Sequence, residues 1–134
     1  MGEDKSNEKE RAPKSSSHKR IFLQKGETLF GQNDLGTESY IVINGKIELS
    51  YYQDGEKKIF DTVRKNGIFG EMALFDLKRR LVTATALTDT ECAVIDERFM
   101  HIQLSKTHPI LKTMLKMMTA TIKNQINNDN QNIA

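Results

Sequence analysis

The residues with the clearest chemical potential lie between Phe69 and Ala86, in the stretch FGEMALFDLKRRLVTATA. Gly70 precedes a carboxylate at Glu71, a short apolar turn runs from Met72 to Phe75, and the basic residues Lys78, Arg79 and Arg80 follow. Lacking a Cβ, Gly70 lets the backbone come close to a ligand. A helical turn opening at Glu71 presents free N–H groups and a positive dipole end to an anion. An arginine adds a planar, permanently charged fork that matches phosphate oxygens. Phosphate repels a carboxylate, so Glu71 suits a sugar hydroxyl, or Arg80 itself. The chemistry these types ask for is one phosphate carrying a ribose.

Such groups need a scaffold, and the surrounding sequence reads as short strands punctuated by turn formers. Arg20–Leu23, Thr28–Phe30 and Tyr40–Ile43 are rich in β-branched and aromatic residues. Asn44-Gly45 reads as a type I′ hairpin turn, which needs positive φ at both central residues. Ile47–Tyr51 alternates, Asp54-Gly55 supplies a second hairpin, and Lys57–Arg64 returns. Val82–Leu87 and Cys92–Ile95 complete the set. Many short strands at near-regular spacing imply an all-β sandwich or barrel. Asp96 then reads as an N-cap for a short helix carrying Phe99, Ile102 and Leu104, and Pro109 suits the first turn of a second. In that second helix Leu111, Leu115, Met118 and Ile122 form a seam typical of helix pairing, with Ile110, Met114 and Met117 on a neighbouring face.

The stretch from Phe69 resembles the phosphate-binding cassette of the cyclic nucleotide-binding domain family: Phe-Gly-Glu, a small apolar helix, then an arginine leading into an alternating strand. Gly70, Glu71, Met72 and Ala73 fall on the opening of that cassette, and Arg80 falls on the arginine that pairs with the cyclic phosphate. The resemblance implies that Glu71 binds the ribose 2′-hydroxyl, with Gly70 and Met72 beside it. It also implies that backbone N–H groups near Ala73 and Leu81 complete the phosphate cradle. The family usually has Gly-x-Pro before the arginine and a small or hydroxyl residue after it; this chain has Leu77-Lys78-Arg79 before and Leu81 after. The implied fold is mainly β, an eight-stranded antiparallel jelly-roll β-barrel with a short cassette helix and C-terminal α-helices. By the same comparison Phe30, Leu49, Phe60 and Val63 line the base pocket, and Thr121 or Asn124 reaches the base from the last helix. Asn33 stands where the family commonly has glycine, and asparagine tolerates the left-handed conformation best among other residues.

The expected organisation is a disordered charged arm over 1–19, a jelly roll over 20–95, C-terminal helices over 96–127 serving as lid and dimerisation element, and a disordered tail over 128–134. Lysine and arginine total 20 against 18 acidic residues, which argues against a chain built mainly to grip nucleic acid. Cys92 is the single cysteine, so no disulfide forms within the chain and a cytoplasmic setting is expected. No apolar run reaches the length of a membrane span. The histidines, His18, His101 and His108, fall outside the expected strands, so a cupin-like metal site is not expected and neither is catalysis.

The reading is therefore a cyclic nucleotide sensor that takes cAMP as ligand, with no cofactor. Leu81 offers none of the hydroxyl that often favours cGMP in the family. Expected partners are an unidentified effector protein and a second copy through the last helix, without direct DNA binding or a membrane. Three alternatives stay open: cGMP or a cyclic dinucleotide on the same basic trio, Arg79 as the phosphate ligand, or a ligand-free interaction module.

Overall fold

Alternating apolar residues with polar turns form the strands, and burial tracks the alternation. The computed structural model describes residues 19–75 and 78–131. The expected N-terminal arm, His18, Leu77 and the end of the tail lie outside the described residues. Eight strands follow in order: β1 Arg20–Leu23, β2 Thr28–Phe30, β3 Ser39–Asn44, β4 Ile47–Gln53, β5 Glu56–Val63, β6 Ile68–Phe69, β7 Thr83–Ala86 and β8 Thr90–Ile95. A short 3-10 helix, Glu71–Phe75, separates β6 from β7, and α1 (Glu97–Ser105) and α2 (Pro109–Gln131) close the chain.

The strands make two four-stranded antiparallel sheets, ordered β1-β8-β3-β6 and β2-β7-β4-β5. β1 pairs with β8, β2 with β7, β3 with β6 and β4 with β5. That nesting is the winding of a jelly roll, a two-stranded ribbon wrapped so that its halves fall in opposite sheets. No ladder joins the two sheets among the described residues, so the expected closed barrel is a sandwich instead. Its interior holds Val42, Ile47, Phe69, Ala84, Ala86 and Cys92, all essentially removed from water.

One local reading changes. Asp54-Gly55 is a hairpin turn with positive φ at both residues, as the I′ geometry requires. Asn44-Gly45 is not: β3 and β4 lie in different sheets, and only Gly45 has positive φ. Gly45 is needed for space, because a Cβ there would sit 2.3 Å from Thr90 Oγ1 and 2.7 Å from the Asp89 carbonyl. The local sequence signal for a reversal is real, but it marks a crossing between sheets. β6 escapes the periodicity because two residues are too few to show a pattern.

The helices begin where their caps direct. Asp96 accepts a hydrogen bond from the Phe99 N–H at 2.8 Å and starts α1, and Pro109 opens α2. α2 runs on to Gln131, past 127, the expected end of the helices, and into the stretch expected as a disordered tail. Its inward face carries Thr119 and Ile126, both buried, with Ile122 packed on the core between them. Ile110, Met114 and Met117 point to solvent, and so do Leu111, Leu115 and Met118 of the expected seam to a large extent.

Candidate functional site

The two sheets, the 3-10 helix and the two C-terminal helices enclose a cavity of about 240 Å³. Phe30, Leu49, Phe60 and Val63, expected from the sequence to line the base pocket, all line it. Gly70, Glu71, Met72 and Ala73 form one wall, Arg80 and Leu81 another, and α1 and α2 cover it with Met100, Leu104, Met118 and Ile122.

Arg80 is the centre of this arrangement. Its side chain is only 5 % exposed, and among the described residues no carboxylate lies within ion-pair distance of it. Nη1 donates to the Glu38 carbonyl at 2.8 Å and to the Gly70 carbonyl at 3.1 Å. The guanidinium carbon lies 4.1 Å from the centre of the Phe30 ring and 5.9 Å from that of Tyr40. A desolvated cation over an aromatic face is worth about 2 kcal/mol. Nε is buried and has no hydrogen-bond partner among the described residues. Removal from water holds the guanidinium below its ordinary pKa, against the raising influence of Tyr40, Glu38 and Asp34 nearby. A buried cation with an unmet donor and no carboxylate in direct contact among the described residues is an incomplete arrangement, and an anion completes it.

Two elements hold the arginine in place. The chain from Gly31 to Glu38 is stapled to the segment Lys78–Arg80 by Asn33 N–H to the Arg80 carbonyl (2.7 Å), Arg80 N–H to the Asp34 carbonyl (2.8 Å) and Gly36 N–H to the Lys78 carbonyl (2.8 Å). Asn33 has φ +75°, in keeping with its place where the family commonly has glycine. Beneath the guanidinium Tyr40 stacks on Phe69 with centroids 5.2 Å apart. The Tyr40 hydroxyl donates to Glu38 Oε1 at 3.1 Å. Burial, and then the Glu38 charge, push its pKa up to about 12, so it remains a neutral donor.

The basic trio divides. Lys78, at φ +62°, points its ammonium to Glu97 on α1 at 3.6 Å. Arg79 Nη1 donates to the Asn33 carbonyl at 2.9 Å, on the outside, and does not line the cavity. Arg80 alone turns inward, so Arg79 is not placed to hold a phosphate.

Glu71 opens the 3-10 helix, half-buried in the cavity wall. It does not pair with Arg80, which corrects the possibility that the two residues satisfy each other. Burial raises its pKa above the ordinary carboxylate value, opposed by the hydrogen bond it receives from its own backbone. Gly70 has φ +88°, and a Cβ there would lie 3.0 Å from the Glu38 carbonyl and 3.1 Å from Arg80 Nη1. Leu81 lines the cavity without sealing it, packing its side chain on the core.

Thr121 and Asn124 are misplaced by the sequence reading. Both are exposed, neither lines the cavity, and the Thr121 hydroxyl donates to the Met117 carbonyl at 3.0 Å. Thr119 occupies the expected position instead: it is 6 % exposed, lines the cavity and makes no hydrogen bond through its hydroxyl among the described residues. Its spacing from Leu115, Ile122 and Ile126 is the signal that would have found it. Asp61, also in the wall, lies two residues before Val63, the strand spacing that would have found it.

With this geometry in view, comparison with known proteins is decisive about class. Residues 20–106 match the cyclic nucleotide-binding domain, and the chain belongs to that family. Among curated proteins it is similar to lysophospholipase NTE1 of Kluyveromyces lactis, 32 % identical over 103 residues, covering 75 % of this chain and 7 % of that one. It is also similar to a CRP-like cAMP-activated global transcriptional regulator of Mycobacterium tuberculosis, 24 % identical over 109 residues, covering 81 % and 49 %. The chain thus spans less than half the length of these curated relatives. Among solved structures an EAL enzyme in its cAMP-bound form superposes with TM-score 0.73 at 21 % identity, covering 81 % of this chain and 30 % of that one. The same enzyme's cGMP-bound form gives 0.72 at 22 %, covering 78 % and 28 %. Those likenesses speak to the fold. No helix among the described residues is long and apolar enough to cross a membrane.

Proposed function

We propose that this chain is a cyclic nucleotide sensor whose ligand is a 3′,5′-cyclic purine nucleotide, cAMP being the first candidate because position 81 supplies no hydroxyl. The observation that carries this reading is the Arg80 guanidinium, buried with no carboxylate in ion-pair contact and Nε unmet among the described residues, at the edge of a mostly apolar cavity. The cyclic phosphate takes the place of the missing anion, with the backbone N–H groups near Ala73 and Leu81 contributing. The ribose 2′-hydroxyl bonds Glu71 beside Gly70 and Met72. The base lies among Phe30, Leu49, Phe60 and Val63, and the Thr119 hydroxyl meets it from α2.

Signalling is a shift between two positions of the C-terminal helices. α1 and α2 cover the cavity in this structure, which at about 240 Å³ is below the roughly 300–1,000 Å³ usual for ligand sites. A ligand that needs more room, or that bonds Thr119, changes the balance between covered and open arrangements only through unequal affinity for the two. The exposed Met and Ile face of α2 then meets a second copy or an effector protein in one arrangement and not in the other. We assign no catalytic role to the chain, no direct DNA binding and a cytoplasmic setting.

Calorimetric titration with cAMP, cGMP and cyclic dinucleotides tests the reading. Binding of a cyclic mononucleotide that Arg80→Ala abolishes is expected, with Glu71→Ala losing less because it deletes a neutral sugar contact. A parent chain that takes up none of these ligands leaves only the interaction module.

A further inference from the structure

The cavity wall carries a second carboxylate besides Glu71: Asp61, paired opposite the buried Leu49 and two residues before the buried Val63, sits on their face of β5, and a fault in the β4–β5 ladder sets Phe60 beside it. Leu49 pairs with Asp61 but Ser50 pairs with Ile59, which leaves Phe60 as an extra residue. In such a bulge two residues oppose one on the partner strand, the alternation breaks, and a side chain is re-aimed. Phe60 and Asp61 accordingly both line the cavity, where a regular strand would turn one of them away. The Asp61 carboxylate has no cation within ion-pair distance among the described residues. Its one hydrogen bond is accepted by Oδ1 from the adjoining Thr62 N–H, at 2.8 Å. Leu49, Val63 and Ile68, which share this part of the wall, offer no polar side-chain atom.

We propose that Asp61 reads the edge of the purine ring and raises the affinity of the site for guanine relative to adenine. The inference rests on the cyclic nucleotide reading: with the phosphate on Arg80, the base extends toward the wall of β4 and β5. An ionised carboxylate only accepts hydrogen bonds. Guanine presents two adjacent donors, N1–H and the N2 amino group, which two carboxylate oxygens match. Adenine presents its N6 amino group beside an unprotonated N1, so the carboxylate meets one donor and one opposing lone pair. A carboxamide of the same shape has the reverse preference, since its donor and acceptor pair with adenine. The missing hydroxyl at position 81 removes one guanine contact, and Asp61 adds another.

The test titrates the full chain with cGMP, cAMP and cyclic IMP, which keeps N1–H but lacks the N2 amino group. In the parent, cyclic IMP is expected to bind more weakly than cGMP. Asp61→Asn is expected to shift the cGMP-to-cAMP affinity ratio about tenfold toward cAMP, the size of one bidentate base contact. Asp61→Ala is expected to lose cGMP affinity without gaining any for cAMP. Equal changes for both nucleotides, no change in either variant, or cyclic IMP binding as tightly as cGMP overturns the role of Asp61 and leaves the sensor intact. A parent that binds none of the three nucleotides removes the sensor reading and this inference together. The cyclic IMP comparison uses the unaltered chain, so it stands even if a variant misfolds.

Discussion

Gly36 and Arg80 are fitted to one another: a Cβ at position 36 would lie 2.8 Å from Arg80 Nη2 and 2.9 Å from Nε. The guanidinium cannot simply swing aside, because Nη1 is held by the Glu38 and Gly70 carbonyls and its face rests on Phe30. Gly36→Ala therefore displaces the cation without straining the backbone. We expect cyclic nucleotide affinity to fall about tenfold, one charge-assisted bond weakened, with a melting temperature within a few degrees of the parent. Calorimetry and thermal denaturation on the same samples check both halves.

Arg80 is expected to cost the ligand-free protein stability. It is buried with no carboxylate within ion-pair distance among the described residues, and an ion taken out of water carries a desolvation penalty that an apolar side chain of similar size does not. Arg80→Met should melt above the parent in the absence of nucleotide while binding none. A variant that melts well below the parent would show that the two carbonyl bonds and the Phe30 contact outweigh the desolvation.

Glu71 makes stability depend on pH in a direction opposite to most carboxylates. Its pKa is raised in the folded chain by burial. The native state therefore holds the proton more tightly than the unfolded state, and stability falls as pH rises from the ordinary carboxylate value, about 4.3, through the raised one. Glu71→Gln is expected to melt above the parent at neutral pH and to lose that advantage near pH 4. Melting temperatures of both proteins across pH 3.5–8 give the comparison.

Thr119→Val keeps the shape of a buried side chain and deletes a hydroxyl that has no partner among the described residues. Stability should change little or rise. Nucleotide affinity should fall by about five- to tenfold if that hydroxyl bonds the base, the weight of one net hydrogen bond of about 1 kcal/mol or slightly more. Thr121→Val, which alters an exposed group, should leave affinity unchanged.

The outer face of α2 exposes Met114 and Met117 at 50 % and 64 %. Met114→Glu with Met117→Glu places charges there without touching the core. We expect the double variant to sediment as a monomer under conditions where the parent forms dimers, with an unchanged melting temperature for the monomer. A parent that is already monomeric at high concentration, with and without nucleotide, removes self-association from the account.

The linear chain determined the strand alphabet, the Asp96 cap, the Pro109 helix start and the cassette itself, because each depends on side chains a few residues apart. Neighbouring residues impose turn φ values, caps and hydrophobic periods, and these survive any tertiary arrangement. Tertiary structure decided the rest. Asn44-Gly45 joins two sheets rather than two paired strands, since what lies beside β3 is β8, far along the chain. The resemblance puts Arg80 ahead of Arg79, but folding is what separates them physically, because three adjacent basic residues look alike until the loop from Gly31 to Glu38 claims one backbone and shelters one guanidinium. Thr119 rather than Thr121 faces the cavity because the helix phase is set by what Ile122 and Ile126 bury, and a bulge between strands, invisible to a pattern of period two, sets Phe60 on the wall together with Asp61.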